Sequence, residues 1–540
     1  MSLRPLLAHL DASPEGAALA RDGGRAFVSA SLRPYLLAAL VDGAPAYANR
    51  PAVIVAGDDR QARDLAADLR AWLAPRPVRF YPGRGVAYES HLAPPPHLVG
   101  LRVAALDALL DHREGEGEPP VVVVSAVALS EKVPDPDLRP HGLRLAVGDL
   151  VDLEELSADL VRAGYDRVEQ VSDRGQFAVR GGIVDVYPAT EERAVRVELF
   201  DIEVESLRWF STFTQRSLGE TQAVEIAPAA ELAPEHRPDM GEGAALASSE
   251  GAKPPRIAAV DSERERASGD IAELLPVDRF GAFLDLAGGA AVVLAAEEEV
   301  EPALRDHWQD VCAAFHDVDA HHLYVPPAEI SAALEARAAV RLSAIAGDQP
   351  LEFRAQSADT AARSLKEAEP ELEKLLRGGY RTVVTWPRKG EGDRAAYNLA
   401  RLKASWLDDG DDPDLARPDQ AVGRVRFAHA SLRDGFVAGG LKLAVIPEHR
   451  LFRRRRAERS DDGVGGEGVR RRKGALRSFA DLRTQDIIVH EDHGIARFAG
   501  FDTRTVAGVT RDYLQLEFQG SDKVYMPVEQ LAKISRYVGA

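Results

Sequence analysis

The alternation of hydrophobic and polar positions divides this 540-residue chain into stretches of different character. PAVIVAG from Pro51 is a short continuous apolar run that reads as a buried strand, and in DDRQARDLAADLRAWL the apolar residues Ala62, Leu65, Ala66, Leu69 and Trp72 fall on one face of a helix. LVGLRVAALDALLD repeats the helical pattern, and VVVVSAVAL from Val121 reads as a second buried strand. Strands alternating with helices predict a parallel sheet covered on both faces. Residues 1–141 therefore read as the first part of an α/β domain of the nucleotide-hydrolase type.

The pattern changes near His141. HGLRLAVGD opens a region of period-two alternation that runs to about Pro228 and predicts an α+β insert over 142–228. Helix and strand patterns return over 229–349, the second part of the α/β domain, with a polar interruption at MGEGAALASSEGAKPP. The strands YRTVVTW from Tyr380 and LKLAVIPE from Leu441 bracket the helix DRAAYNLARLK and predict a second, small α/β domain over 350–456. After a basic linker at 457–474, residues 475–540 carry YLQLEF and KVYMPV, alternating strands joined by the hairpin signal QGSD. With IIVHEDHGIARFAGF before them, they predict a small, strongly bent β-barrel.

Composition narrows the setting. The length exceeds what one hydrophobic core supports, so a multi-domain α/β chain is expected. A single cysteine, Cys312, cannot form an internal disulfide, and no apolar run is long enough to cross a membrane, which favours a cytoplasmic protein, expected as a monomer, with no membrane partner. The net charge of -19 argues against a surface that grips nucleic acid throughout. Locally, eleven basic residues lie between Arg450 and Arg477, including Arg453, Arg454, Arg455, Arg456, Arg470, Arg471, Arg472 and Lys473. They read either as a solvated tether or as a contact strip for double-stranded DNA.

Catalytic chemistry is not indicated. The chain has no Gly-Lys dipeptide, and where a phosphate loop should follow the first buried strand it has AGDDRQ, which would set two carboxylates against a triphosphate. VHEDHG brings its second histidine, His493, one position too early for a helical zinc pair with His490. No catalytic residue, metal or cofactor is expected.

Binding chemistry is indicated. RGQFAVRGGIVDVYP reads as two extended runs joined by Gly-Gly, with Arg180 at the bend. If Ala194 to Phe200 is a strand, Val195, Val197 and Leu199 face the core while Arg196, Glu198 and Phe200 share the other face. Arg and aromatic residues are enriched in binding hot spots. For Arg180 alone the alternative is a solvated charge; for Phe200 it is a ring covered by a neighbouring loop.

RGQFAVRGGIVDVYP followed by VRVELFDIEVESLRWFSTFTQRS resembles the module shared by the excision-repair protein UvrB and the transcription-repair coupling factors. The resemblance implies that this module docks UvrA through Arg180, Arg196 and Phe200. It favours the coupling factors, because FYPGRGVAYESHLAPPPHLVGLR is short, lacks the tyrosine-rich hairpin of UvrB, and accompanies a missing phosphate loop. The hydrolase-like domain is then a degenerate one. VHEDHGIARFAGF, DYLQLEF and KVYMPVEQLAKISRYVGA resemble the polymerase-interacting domain of these factors, related to CarD. That implies a Tudor-like barrel docking the RNA polymerase β subunit through an edge strand at Thr503, Arg504, Thr505 and Val506, with His490 and His493 as turn and core residues. Arg504 departs from the apolar residue expected of relatives. ATP and Mg are implied only for helicase-like motor domains that follow in the family, so the chain reads as an adaptor, either a fragment or a motorless relative. The alternatives are an ATP-dependent repair enzyme of UvrB or helicase type, and a CarD-like transcription regulator.

Overall fold

The computed structural model describes the chain outside residues 1–2, 12, 45–46, 86–87, 89–93, 114, 116–117, 213–214, 237–275, 315–319, 348, 359–361, 363, 408–423, 452–486, 491–493, 507–508, 519–522, 528–533 and 537–540. The described residues up to Leu451 form one compact unit, and those from Ile487 onward a second.

The largest sheet of the first unit has seven strands, in the order Leu351–Phe353, Gly24–Val28, Ala338–Ser343, Ala291–Leu294, Ala52–Ala56, Val121–Ser125 and Val78–Tyr81. All its pairings are parallel. Side chains alternate between faces along a strand, and here both sets are buried. Ile54 and Val123 belong to one apolar cluster, and Val53, Val55, Val122 and Val124 to the other. The helix Asp59–Leu73 buries Ala62, Leu65, Ala66, Leu69 and Trp72 as its spacing predicts. VVVVSAVAL is extended only as far as Ser125. There the hydroxyl accepts the Ala128 N–H at 3.1 Å, capping a short helix, Ala126–Ser130.

Where AGDDRQ leaves its strand, Asp58 caps the helix by accepting the Gln61 N–H at 2.8 Å. The Asp59 carboxylate accepts the Gly83 N–H at 3.0 Å and the Ser125 hydroxyl at 2.5 Å. An internal anion thus holds donors at the C-terminal ends of two neighbouring strands.

A second sheet in this unit runs Gln356–Ser357, Phe436–Ala438, Leu443–Pro447, Arg381–Trp386, Arg424–His429, Lys403–Trp406. The helix read in DRAAYNLARLK spans Lys389–Asn398 and stops short of Lys403, which opens the edge strand paired with Arg424. Buried Glu369 is the reason: its carboxylate accepts the N–H groups of Arg401 and, at 2.8 Å, Leu402, so that backbone is satisfied outside a helix. The two sheets share one core. Phe436 of the smaller sheet lies 5.4 Å from the Tyr35 ring and 6.3 Å from Trp72, and those two meet edge-on at 5.2 Å.

The C-terminal unit is an antiparallel sheet in the order Lys523–Pro527, Val509–Phe518, Gly494–Val506, Ile487–His490, Ile534–Arg536. YLQLEF and KVYMPV pair as the hairpin signal predicts, with Glu517 opposite Lys523. His490 ends one strand opposite Gly494, which starts the next, so the described ends of VHEDHG are strand; residues 491–493, His493 among them, lie outside the described residues. Among the described residues no helix is long and apolar enough to cross a membrane, and no group of His, Cys, Asp or Glu is arranged to hold a metal ion.

Two outcomes follow for the shared core. Phe436→Ala should cost about 3–5 kcal/mol of stability to urea and split the melting of the first unit into two transitions; one unshifted transition would contradict the shared core. Burial, beside Asp64 and Asp434, pushes the Asp68 carboxyl, which accepts the Arg433 N–H at 3.0 Å, up to about 6. A carboxyl with a raised native value stabilises the fold fully below its ordinary value and loses that contribution as pH rises through 6. The stability difference between wild type and Asp68→Asn should therefore change between pH 4 and 6.5 and be flat above; a flat difference throughout would refute the assignment.

Candidate functional site

The insert is a six-stranded sheet ordered Ser217–Thr221, Glu203–Phe210, Ala194–Phe200, Ile183–Val186, Gln176–Arg180, Asp166–Arg167, antiparallel except for the last pair. One face is closed by the helix Leu153–Arg162. Leu156 and Leu160 of that helix pack with Phe177, Val184, Val186, Val195, Val197, Val204 and Leu207. Each such side chain contributes about 1.5–3 kcal/mol when buried, which locks the pleat and sends the alternate residues outward.

Cross-strand partners share a face, so the register defines rows on the outer one. The first is Ala178, Asp185, Arg196, Arg208, Glu220. The second is Arg180, Ile183, Glu198, Ser206. A bulge after Glu198 leaves Glu205 as the extra residue, Leu199 stays with the core, and the third row is Phe200, Glu203, Leu150. Arg180, Arg196 and Phe200 thus lie in three successive rows of one face.

Their surroundings differ. Phe200 is 74% exposed at a hairpin tip, which disposes of a covering loop. Asp201 beside it has φ 58°, a left-handed conformation that Asp tolerates. Arg180 stands at the Gly181–Gly182 bend and donates from Nε and Nη2 to the Glu169 carbonyl at 3.2 and 2.5 Å, so it is tethered rather than freely solvated. Arg196 donates a fork of bonds to Asp185, 2.7 and 2.8 Å, with Gln215 Oε1 at 3.4 Å and the Phe210 ring 4.8 Å below. The hydrogen bonds it donates to the Asp185 carboxylate raise the Arg196 pKa above its ordinary value, so the cation is permanent. Glu198 accepts from Ser206 at 2.7 Å and lies 3.5 Å from Arg208. Asp185 and Gln215 escaped the sequence reading, although both stand inside the stretches quoted for it.

The insert is fastened to the α/β sheet by buried ions. Glu231, just past the returning strand Ala223–Ile226, takes Arg84 Nε at 2.7 Å and lies 3.7 Å from Arg102 Nε; Arg102 is itself held within the α/β domain by Glu131 at 2.6 Å, and all four side chains are nearly enclosed. A Cβ on Gly100 would fall 2.6 Å from that of Ala189, so helix and insert meet backbone to backbone.

In the C-terminal unit, Thr503 to Val506 lie in the strand Gly494–Val506 and pair with Asp512 to Val509. The neighbouring strand Ile487–His490 pairs only with residues 494–497, so among the described residues the other edge of 503–506 carries no strand. The candidate DNA contacts Arg453 to Arg456 and Arg470 to Lys473 lie outside the described residues.

Residues 143–232 match the UvrB interaction domain and residues 482–538 the CarD-like/TRCF RID domain. Over 91% of its length the chain is 27% identical to the transcription-repair-coupling factor of Bacillus subtilis, and 29% identical to those of Mycobacterium bovis and Myxococcus xanthus. The chain is similar to the N-terminal part of the transcription-repair coupling factors. It spans 42–44% of the length of these relatives. The UvrB interaction match contains the whole three-row face, and the coupling-factor RID match contains the open edge.

Half-buried Arg196 and exposed Phe200 should respond differently to truncation. Arg196→Ala leaves Asp185, 3% exposed, without its cation and should cost about 3 kcal/mol. Phe200→Ala should stay within about 0.5 kcal/mol of wild type. Thermal melts of the two variants check this; equal stability losses would contradict the described packing.

Proposed function

We propose that this chain acts as the adaptor portion of a transcription-repair coupling factor: the outer face of the insert recruits UvrA, and the open edge at Thr503 to Val506 docks the RNA polymerase β subunit. The observation that carries this is the presence, in one chain, of a UvrB interaction match and a coupling-factor RID match. Geometry supports both halves. Arg180, Arg196 and Phe200 converge on one outward face although they come from two strands, and an exposed aromatic beside a held arginine is the composition of a hot spot. At the other end, an unpaired strand edge can accept a further strand, main-chain bonds giving affinity and alternate side chains specificity. In this reading the C-terminal sheet is a Tudor-like barrel of the CarD kind, and the seven-stranded domain is a degenerate hydrolase-like one in which Asp59 takes donors that a phosphate would otherwise use.

Titration of the chain with purified UvrA tests the first half. Phe200→Ala should weaken binding about 30-fold, the loss expected of a hot-spot residue, with an unchanged melting temperature; unchanged affinity would overturn the assignment. A photo-crosslinking amino acid at Arg504 tests the second and should label the β subunit in purified polymerase. Labelling of another subunit alone would refute it.

A further inference from the structure

We propose that the docking face extends beyond the three motif residues to Leu150 and Glu203, and that it selects a partner surface with a cation set between two apolar patches. The inference rests on the UvrA reading above and concerns what that partner must present.

The third row forms this extension. Phe200 pairs with Glu203 from one side, and Leu150 bridges the same residue from the other. Backbone bonds hold the bridging segment in place: Gly148 N–H to the Val204 carbonyl at 2.9 Å, Val204 N–H to the Asp149 carbonyl at 2.9 Å, and Val151 N–H to the Ile202 carbonyl at 2.6 Å. The three side chains therefore stand side by side, each neighbour about 5 Å from the next. Leu150 is 71% exposed and Phe200 74%, with Ile202 at the tip between the paired strands also exposed. Two large apolar side chains in water flank a carboxylate that forms no ion pair among the described residues. By contrast, the carboxylates of the first two rows, Asp185, Glu198 and Glu220, are each within ion-pair distance of an arginine. Of the carboxylates in the three rows, Glu203 is thus the one left for an external cation, and the flanking side chains would exclude water from that contact, strengthening it. Leu150 lies some fifty residues from Phe200 and outside the motif stretch from Arg174 to Ser217; the bridge to Glu203 and the backbone bonds around it bring it into the face.

The test is calorimetric titration of the full chain with UvrA, using Leu150→Asp, Glu203→Arg and Phe200→Ala. Leu150→Asp and Glu203→Arg should each weaken binding about tenfold or more while the melting temperature holds. Leu150→Ala, with a smaller loss of the same sign, serves if the aspartate lowers the melting temperature. If Phe200→Ala weakens binding and the Leu150 and Glu203 variants bind as wild type, the extended face is wrong and the UvrA reading survives. If all the variants bind as wild type, the UvrA reading itself fails.

Discussion

Burial of one face of the insert sheet is the constraint on which the rest depends. Once Val195, Val197, Val204 and Leu207 are packed under the helix Leu153–Arg162, the period of two leaves Arg196, Glu198 and Phe200 no choice but to point outward. A one-residue slip would bury an arginine and expose the core valines, so the packing energy also sets the register. The bulge after Glu198 is tolerated because it re-aims only the hairpin tip, keeping Leu199 with the core and Phe200 in water.

Two further devices turn an outward residue into a presented one. The Asp185 fork removes most of the rotamer freedom of Arg196, so a partner meeting it has less ordering entropy to overcome. Glu231, paired with Arg84 and 3.7 Å from Arg102, and the close contact at Gly100 fasten the insert to the seven-stranded domain at more than one point. Such enclosed ions are weak evidence for stability, because desolvation offsets much of their attraction. Their contribution here is geometric: they join the segment leaving the insert to the domain that carries it.

What was legible from residues alone was what is local and periodic. Strand period two located the outer face, helix spacing located the buried face of Asp59–Leu73, and Gly-Gly marked the bend at Arg180. Features set by side-chain hydrogen bonds and by cross-strand partners were not legible. Ser125 ended an apolar run by capping a helix, and Glu369 ended a helix by taking the N–H groups of Arg401 and Leu402, both through side-chain hydrogen bonds that periodicity does not encode. Leu150 gave no signal in its own segment, since it joins the face through a bridge to Glu203 and backbone bonds to residues some fifty positions away. Asp185 and Gln215 stood within the stretches quoted for the resemblance, yet their part in holding Arg196 emerged only from cross-strand geometry.

The central claim is that one chain carries two docking surfaces for two different machines. The most direct measurement immobilises RNA polymerase on a sensor, adds this chain, and then adds UvrA. The account predicts that UvrA is retained only when the chain has been added first, and that a chain with altered Phe200 still binds the polymerase but retains no UvrA. Retention of UvrA without the chain, or failure of the polymerase-bound chain to retain it, would contradict the account.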